Sequence, residues 1–183
     1  MARKKEINKA KILDIAYKIM VEEGIDSLTA RNIAKAGHFS TQPIYLEFKG
    51  MDDLRRQVLE RVSDNLQTKI LKQSFTGKAL FDLDLSYISF AREHVDLFCS
   101  MFITGKYGEH LLKSTLIDLA TQMFKKQYGN AYTDEQVHDV IIANWIVTNG
   151  IATLEVNGLN QMSGEEIVEC IKATIERKLN QYK

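Results

Sequence analysis

The side chains with the most to offer chemically lie between Thr29 and Lys49. From position 29 to 48 the chain reads Thr-Ala-Arg-Asn-Ile-Ala-Lys-Ala-Gly-His-Phe-Ser-Thr-Gln-Pro-Ile-Tyr-Leu-Glu-Phe. Thr41, Gln42 and Tyr45 carry donors and acceptors that suit base edges in a DNA major groove, and Gln42 can bond an adenine in bidentate fashion. Thr29, Tyr45 and Lys49 suit phosphate oxygens. Elsewhere the chemistry is sparse. His38, His94, His110 and His138 show no metal-ligand spacing with one another or with Cys99 and Cys170. There is no phosphate-cradling glycine loop and no nucleophile elbow. No catalytic residue, metal or cofactor is expected, and the chain does not read as an enzyme.

Presenting such side chains to a groove takes a helix held by its neighbours. Residues 5–23 form an amphipathic helix by pattern, with Ile12, Ile15, Ala16, Ile19 and Met20 on one face. Gly24 is its expected stop. Thr29 is placed to cap a short helix over 30–36 that stops at Gly37. Ser40 is read as the cap of a third short helix through Leu46, where Pro43 fits the first turn. Helix, glycine turn and capped helix together make a helix-turn-helix, although an ordinary helical hairpin has the same spacing. A further helix starts near Met51, with Asp52 and Asp53 at its positive end. Helical patterns continue over 78–93, 95–103 and 106–127. Capping boxes at Thr133–Gln136 and Ser163–Glu166 open two more helices. The expected architecture is all-α, with about nine helices.

One proline and ten glycines in 183 residues agree with long helices. Twenty-four basic residues balance twenty-four acidic ones. That neutrality speaks against a uniformly basic nucleic-acid binder. The balance is uneven along the chain, however: residues 1–61 hold twelve basic and nine acidic side chains, so the remainder is −3. The first eleven residues hold five basic side chains against Glu6. Such an arm, with Lys4 and Lys5, is either a phosphate-tracking extension or a solubilising tail. Two distant cysteines point to a reducing cytoplasm. No stretch reads as a signal peptide or a membrane span.

The residues from Ile12 to Leu54 resemble the DNA-binding domain of the TetR (tetracycline-repressor-like) transcriptional regulators. The match runs through Ile12-Leu13, Ala16, Ile19-Met20 and Glu23-Gly24. It continues through Thr29, Ile33-Ala34, Ala36-Gly37, Ser40, Ile44-Tyr45, Phe48 and Leu54. The stretch Trp145…Asn149-Gly150-Ile151-Ala152…Leu154 is similar to the family's penultimate helix. There are departures. Gln42-Pro43 stands where the family often has glycine-threonine, and Glu47 and Met51 replace two residues that touch phosphate. A carboxylate at 47 repels phosphate, and Lys49 is the candidate to take over part of that role.

The resemblance implies a helix-turn-helix domain over 1–50, with the motif at 29–48, and a helical effector-binding and dimerisation domain over 51–183. The DNA-facing set is Lys4, Lys5, Thr29, Ser40, Thr41, Gln42, Pro43, Tyr45 and Lys49. A small, weakly charged apolar effector is expected among Tyr87, Phe90, Phe98, Met101, Phe102 and Trp145. A two-fold dimer is expected through Ile141, Trp145, Ile151, Leu154, Ile167, Ile171 and Ile175. The expected partners are a palindromic double-stranded DNA operator, the effector and a second copy, with no membrane. The alternative is a protein of the same fold that has lost DNA binding and acts as an adaptor or sequesters a ligand.

Overall fold

The computed structural model describes residues 7–68, 73–103 and 109–182, and every regular element among them is helical. The chain divides into two compact units. The first comprises Met1–Asn65 with Asp96–Gly108, and the second Leu66–Val95 with Glu109–Lys183.

In the first unit α1 is Lys9–Glu23, capped by the Asn8 side chain, which accepts from the Lys11 amide at 2.9 Å. Its apolar period puts Ile12, Ala16, Ile19 and Met20 inward, all buried. A 3-10 turn at Ile25–Ser27 leads to α2, Ala30–Gly37, capped as expected by Thr29, which accepts from the Asn32 amide at 3.1 Å. Next come α3, Gln42–Glu47, and α4, Met51–Thr68. Ile33, Ile44, Phe48, Leu54 and Val58 complete the core of this unit. Later in the chain α6, Val95–Phe98, runs into a π-helical turn at Cys99–Ile103 and buries Leu97, Phe98 and Met101. The single helix expected over 95–103 is thus two tighter and wider turns in series.

Two local readings change around the helix-turn-helix. Gly37 is not the stop of α2 but its last helical residue, and the left-handed turn is taken by His38 at φ 55°. The reason for glycine at 37 is space. A Cβ there would lie 2.0 Å from Phe39 Cε1 and 2.8 Å from Ile15 Cδ1. Ser40 does not cap α3. Thr41 holds the cap position with helical dihedrals and no side-chain bond, and Pro43 in the first turn removes one amide that would otherwise need a partner. Gly37→Ala is expected to lower stability by about 1–2 kcal/mol in urea unfolding. Overpacking typically costs about 1–3 kcal/mol and outweighs the roughly 1 kcal/mol of helix propensity gained.

The second unit is built from α5 (Ala79–Glu93), α7 (Glu109–Tyr128), α8 (Asp134–Val156) and α9 (Gly164–Asn180). Residues 106–108, expected to open the seventh helix, lie outside the described residues. Both expected capping boxes are present, at Thr133/Gln136 and Ser163/Glu166. The central helix, α8, packs against α5, α7 and α9. Among the described residues it is the one helix long and apolar enough to cross a membrane, and its Val137, Val140, Ile141 and Ile151 are buried in this unit's core.

Asp82 near the start of α5 fastens the preceding turn. It accepts from the Thr76 amide (2.6 Å) and hydroxyl (2.8 Å), the Phe75 amide (3.1 Å) and the Ser74 hydroxyl (3.0 Å). Burial pushes its carboxyl up, but these bonds outweigh it and hold the group below its ordinary range. Asp82→Ala leaves two backbone amides without this acceptor. A loss of about 1–3 kcal/mol is expected in urea unfolding.

Candidate functional site

α3 is positioned from beneath and open above. Ile44 and Phe48 are buried, and Ile44 donates to the Thr41 carbonyl while Phe48 donates to that of Ile44. On the other side Ser40, Thr41 and Gln42 are exposed, Tyr45 is 57% exposed and Leu46 67%, with Pro43 intermediate. An exposed tyrosine and leucine on so short a helix make a surface suited to contact, and the free polar groups lie at its N-terminal end. Thr29 is half-buried and its oxygen already accepts the capping bond, which leaves the hydroxyl proton to donate.

Lys49 is exposed at the end of the motif, and its backbone is fixed by donation to Asp53 Oδ2 at 3.1 Å. Asp53 also accepts from Gln57 (3.0 Å) and Arg56 (2.8 Å), and these hydrogen bonds, Gln57's first, hold its carboxyl down at about 2. Lys4 and Lys5 lie outside the described residues.

The charge available to DNA differs from the sequence count. Arg55 pairs with Asp52 (3.0 Å), Arg56 with Asp53 and Glu60 (2.8 and 2.7 Å), and Arg61 with Asp14 (2.5 Å). Arg61 also lies over the Tyr17 ring. Three of the unit's arginines are therefore engaged in its own scaffold. Lys11, Lys18, Arg31, Lys35 and Lys49 present exposed side chains.

The six residues expected around an effector are divided between the two units. Tyr87, Phe90 and Trp145 belong to the second unit, while Phe98, Met101 and Phe102 belong to the first. Phe90 is buried against His94, and Phe98 pairs with Phe102 at 5.4 Å. Only Tyr87 and Trp145 line the cavity found among α5, α7 and α8. That cavity holds about 20 Å³, room for about one water and far below the roughly 300 Å³ of an open ligand pocket.

Its polar wall was not anticipated. Asp84 is buried and accepts from Asn144 Nδ2 at 2.9 Å on each oxygen and from the Thr148 hydroxyl at 3.2 Å. Burial pushes the Asp84 carboxyl up to about 7, against the pull of those two donors. Tyr87 donates to Asn149 Oδ1 at 2.9 Å.

The expected dimer residues divide by burial. Ile141, Ile151, Ile167, Ile171 and Ile175 are buried within this chain's own second unit. α8 and α9 are apolar on several faces because they fill that core. What α8 leaves outside is Ile146, 65% exposed, and Leu154, 43% exposed, with Trp145 intermediate and Leu159 just beyond the helix.

A helix-turn-helix whose third helix is open on its outer face, with every described element helical, is the arrangement that helix-turn-helix DNA-binding proteins use. Residues 12–58 match the family model of bacterial regulatory proteins, tetR family. That match spans α1, the helix-turn-helix and the start of α4. Solved structures share its fold over nearly the whole length. A TetR-like transcriptional regulator from Rhodococcus sp. RHA1 aligns with a TM-score of 0.61 and 15% identity, covering 97% of this chain and 98% of that one. A TetR family protein from Vibrio parahaemolyticus aligns at 0.58 and 15% identity, covering 92% and 96%. A TetR-family protein from Mesorhizobium loti MAFF303099 aligns at 0.59 and 17%, covering 93% and 94%. No curated protein matches the chain by sequence.

Proposed function

We propose that the protein is a dimeric, effector-responsive repressor that binds a palindromic operator. The observation that carries this reading is the open face of α3, where Thr41, Gln42 and Tyr45 stand exposed on a helix anchored by Ile44 and Phe48. Thr41, Gln42 and Tyr45 read base edges, with Ser40 and Pro43 shaping the approach. Thr29, Tyr45 and Lys49 hold phosphates, and Lys4 and Lys5 extend the contact along the backbone. Two copies pair through the outer face of α8, where Ile146 and Leu154 are exposed, and set the reading helices about 34 Å apart. An effector in the second unit tilts α4 and spreads the heads. That needs a coupling of only about 1–3 kcal/mol.

The test is a gel shift on the DNA upstream of the protein's own gene, titrated with salt. Specific binding is expected, with log affinity falling against log salt by about 0.9 for each phosphate neutralised. Absence of binding at low salt would instead support the adaptor reading. That second reading has an observation behind it: Arg55, Arg56 and Arg61 are committed to ion pairs, and Glu47 sits on α3 itself.

A further inference from the structure

The cavity of the second unit has an unusual chemical inventory. Asn144 is 2% exposed, and its Oδ1 is a buried acceptor without a hydrogen-bond partner. Its Nδ2 is already spent on Asp84. A buried polar atom left open calls for a donor that arrives from elsewhere, a water or a ligand group. The adjoining Asp84 oxygens also accept. The aromatic part of the wall is Tyr87 and Trp145, with ring centroids 5.0 Å apart and tilted by 56°. The lining includes no lysine, arginine or histidine. Acceptors, a carboxyl group and aromatic faces in a largely buried site all complement one ligand feature, a cation that donates hydrogen bonds.

We propose that this cavity receives the protonated amine of an otherwise apolar effector, the ammonium donating to the Asp84 carboxylate and to Asn144 Oδ1. The inference rests on the effector-responsive reading and names the effector's class. It also replaces the weakly charged ligand that the aromatic residues alone suggested. The space of about 20 Å³ matches an ammonium head and no more. The apolar remainder of the ligand must therefore part α7 from α5 and α8. That displacement gives the ligand mechanical leverage which a neutral group filling the same void lacks.

Trp145 is the chain's only tryptophan and lines the cavity, so its fluorescence reports occupancy without DNA present. The full-length protein at pH 8 is titrated with benzylamine and 2-phenylethylamine, and separately with benzyl alcohol as the neutral counterpart. Saturable changes in Trp145 emission and a rise in Tm are expected with the amines, and binding at least tenfold weaker with the alcohol. Asp84→Asn, checked for helical content by circular dichroism, is expected to lose that preference. The amine preference of the unaltered protein carries the test if the variant misfolds. Equal binding of amine and alcohol, undiminished amine binding by Asp84→Asn, or no response to either amine overturns the proposal. Amines that bind yet leave the gel shift unchanged would uphold the site and overturn the effector role instead.

Discussion

Asp84→Asn is expected to raise the unfolding free energy by about 2–4 kcal/mol at pH 8 and to leave it nearly unchanged at pH 4. The carboxyl ordinarily titrates at 3.8 and is pushed up to about 7 in the folded chain, chiefly by burial. Between those values the folded state holds a proton that the unfolded chain has released. Stability therefore falls as pH rises through this window and stays low above it. The full difference corresponds to about 4 kcal/mol, and relaxation of the site reduces it. Asparagine keeps the shape, accepts from Asn144 Nδ2 and carries no charge. The other shifted carboxyls act with the opposite sign. Asp53, Asp82, Asp139, Glu155 and Glu166 are all held below their ordinary values, so their contributions are lost only as pH drops into the acid range. Burial pushes Tyr87, in this unit's core, and the partly buried Tyr128 upward and further from neutrality. Urea unfolding of both proteins from pH 4 to 8 measures the effect. Parallel pH profiles would sink it.

The second large effect is on DNA. Gln42→Ala is expected to reduce operator affinity by about 30-fold to more than 10⁴-fold while barely changing affinity for random-sequence DNA. A good bidentate base contact is worth about 1–3 kcal/mol of discrimination, and a dimer loses it in both half-sites, about 2–6 kcal/mol in all. Lys49→Ala should behave differently. It weakens binding to every sequence alike and lowers the salt slope by about one for each head. The measurement is a pair of binding isotherms, operator and random duplex, at one fixed salt concentration. A Gln42→Ala protein with its sequence preference intact would remove Gln42 from the reading face.

Periodicity and capping made most of the fold legible. The face of α1 and the Thr29, Thr133 and Ser163 caps depend on spacing within a few residues, and the folded chain keeps them. Cap chemistry was less readable at α3, since Ser40 and Thr41 are both good cappers and the choice is made by how Pro43 and Ile44 seat the turn. The role of Gly37 is invisible locally because it answers to the Phe39 ring and to Ile15, more than twenty residues away. An apolar helix says that it is covered, and it does not say whether by its own chain or another.

The buried polar group around Asp84 has a signature in the sequence. It shares a helical face with Leu80, Tyr87, Ile88 and Ala91, all buried. Asn144 and Thr148, one turn apart, interrupt the apolar run of α8. Polar residues at such spacing on two apolar helices mark a place where the helices face each other through hydrogen bonds.

The reading helix has only six residues, less than two turns, and one of them is a proline. A segment that short has no helical stability of its own in water. Its shape is borrowed from Ile44 and Phe48 in the core beneath. Recognition and folding are therefore one cooperative event in this unit: there is no state in which the unit has opened and α3 still presents its side chains. Sequence discrimination should vanish along the same curve as the unit's cooperative melting, however many lysines remain to hold the polymer.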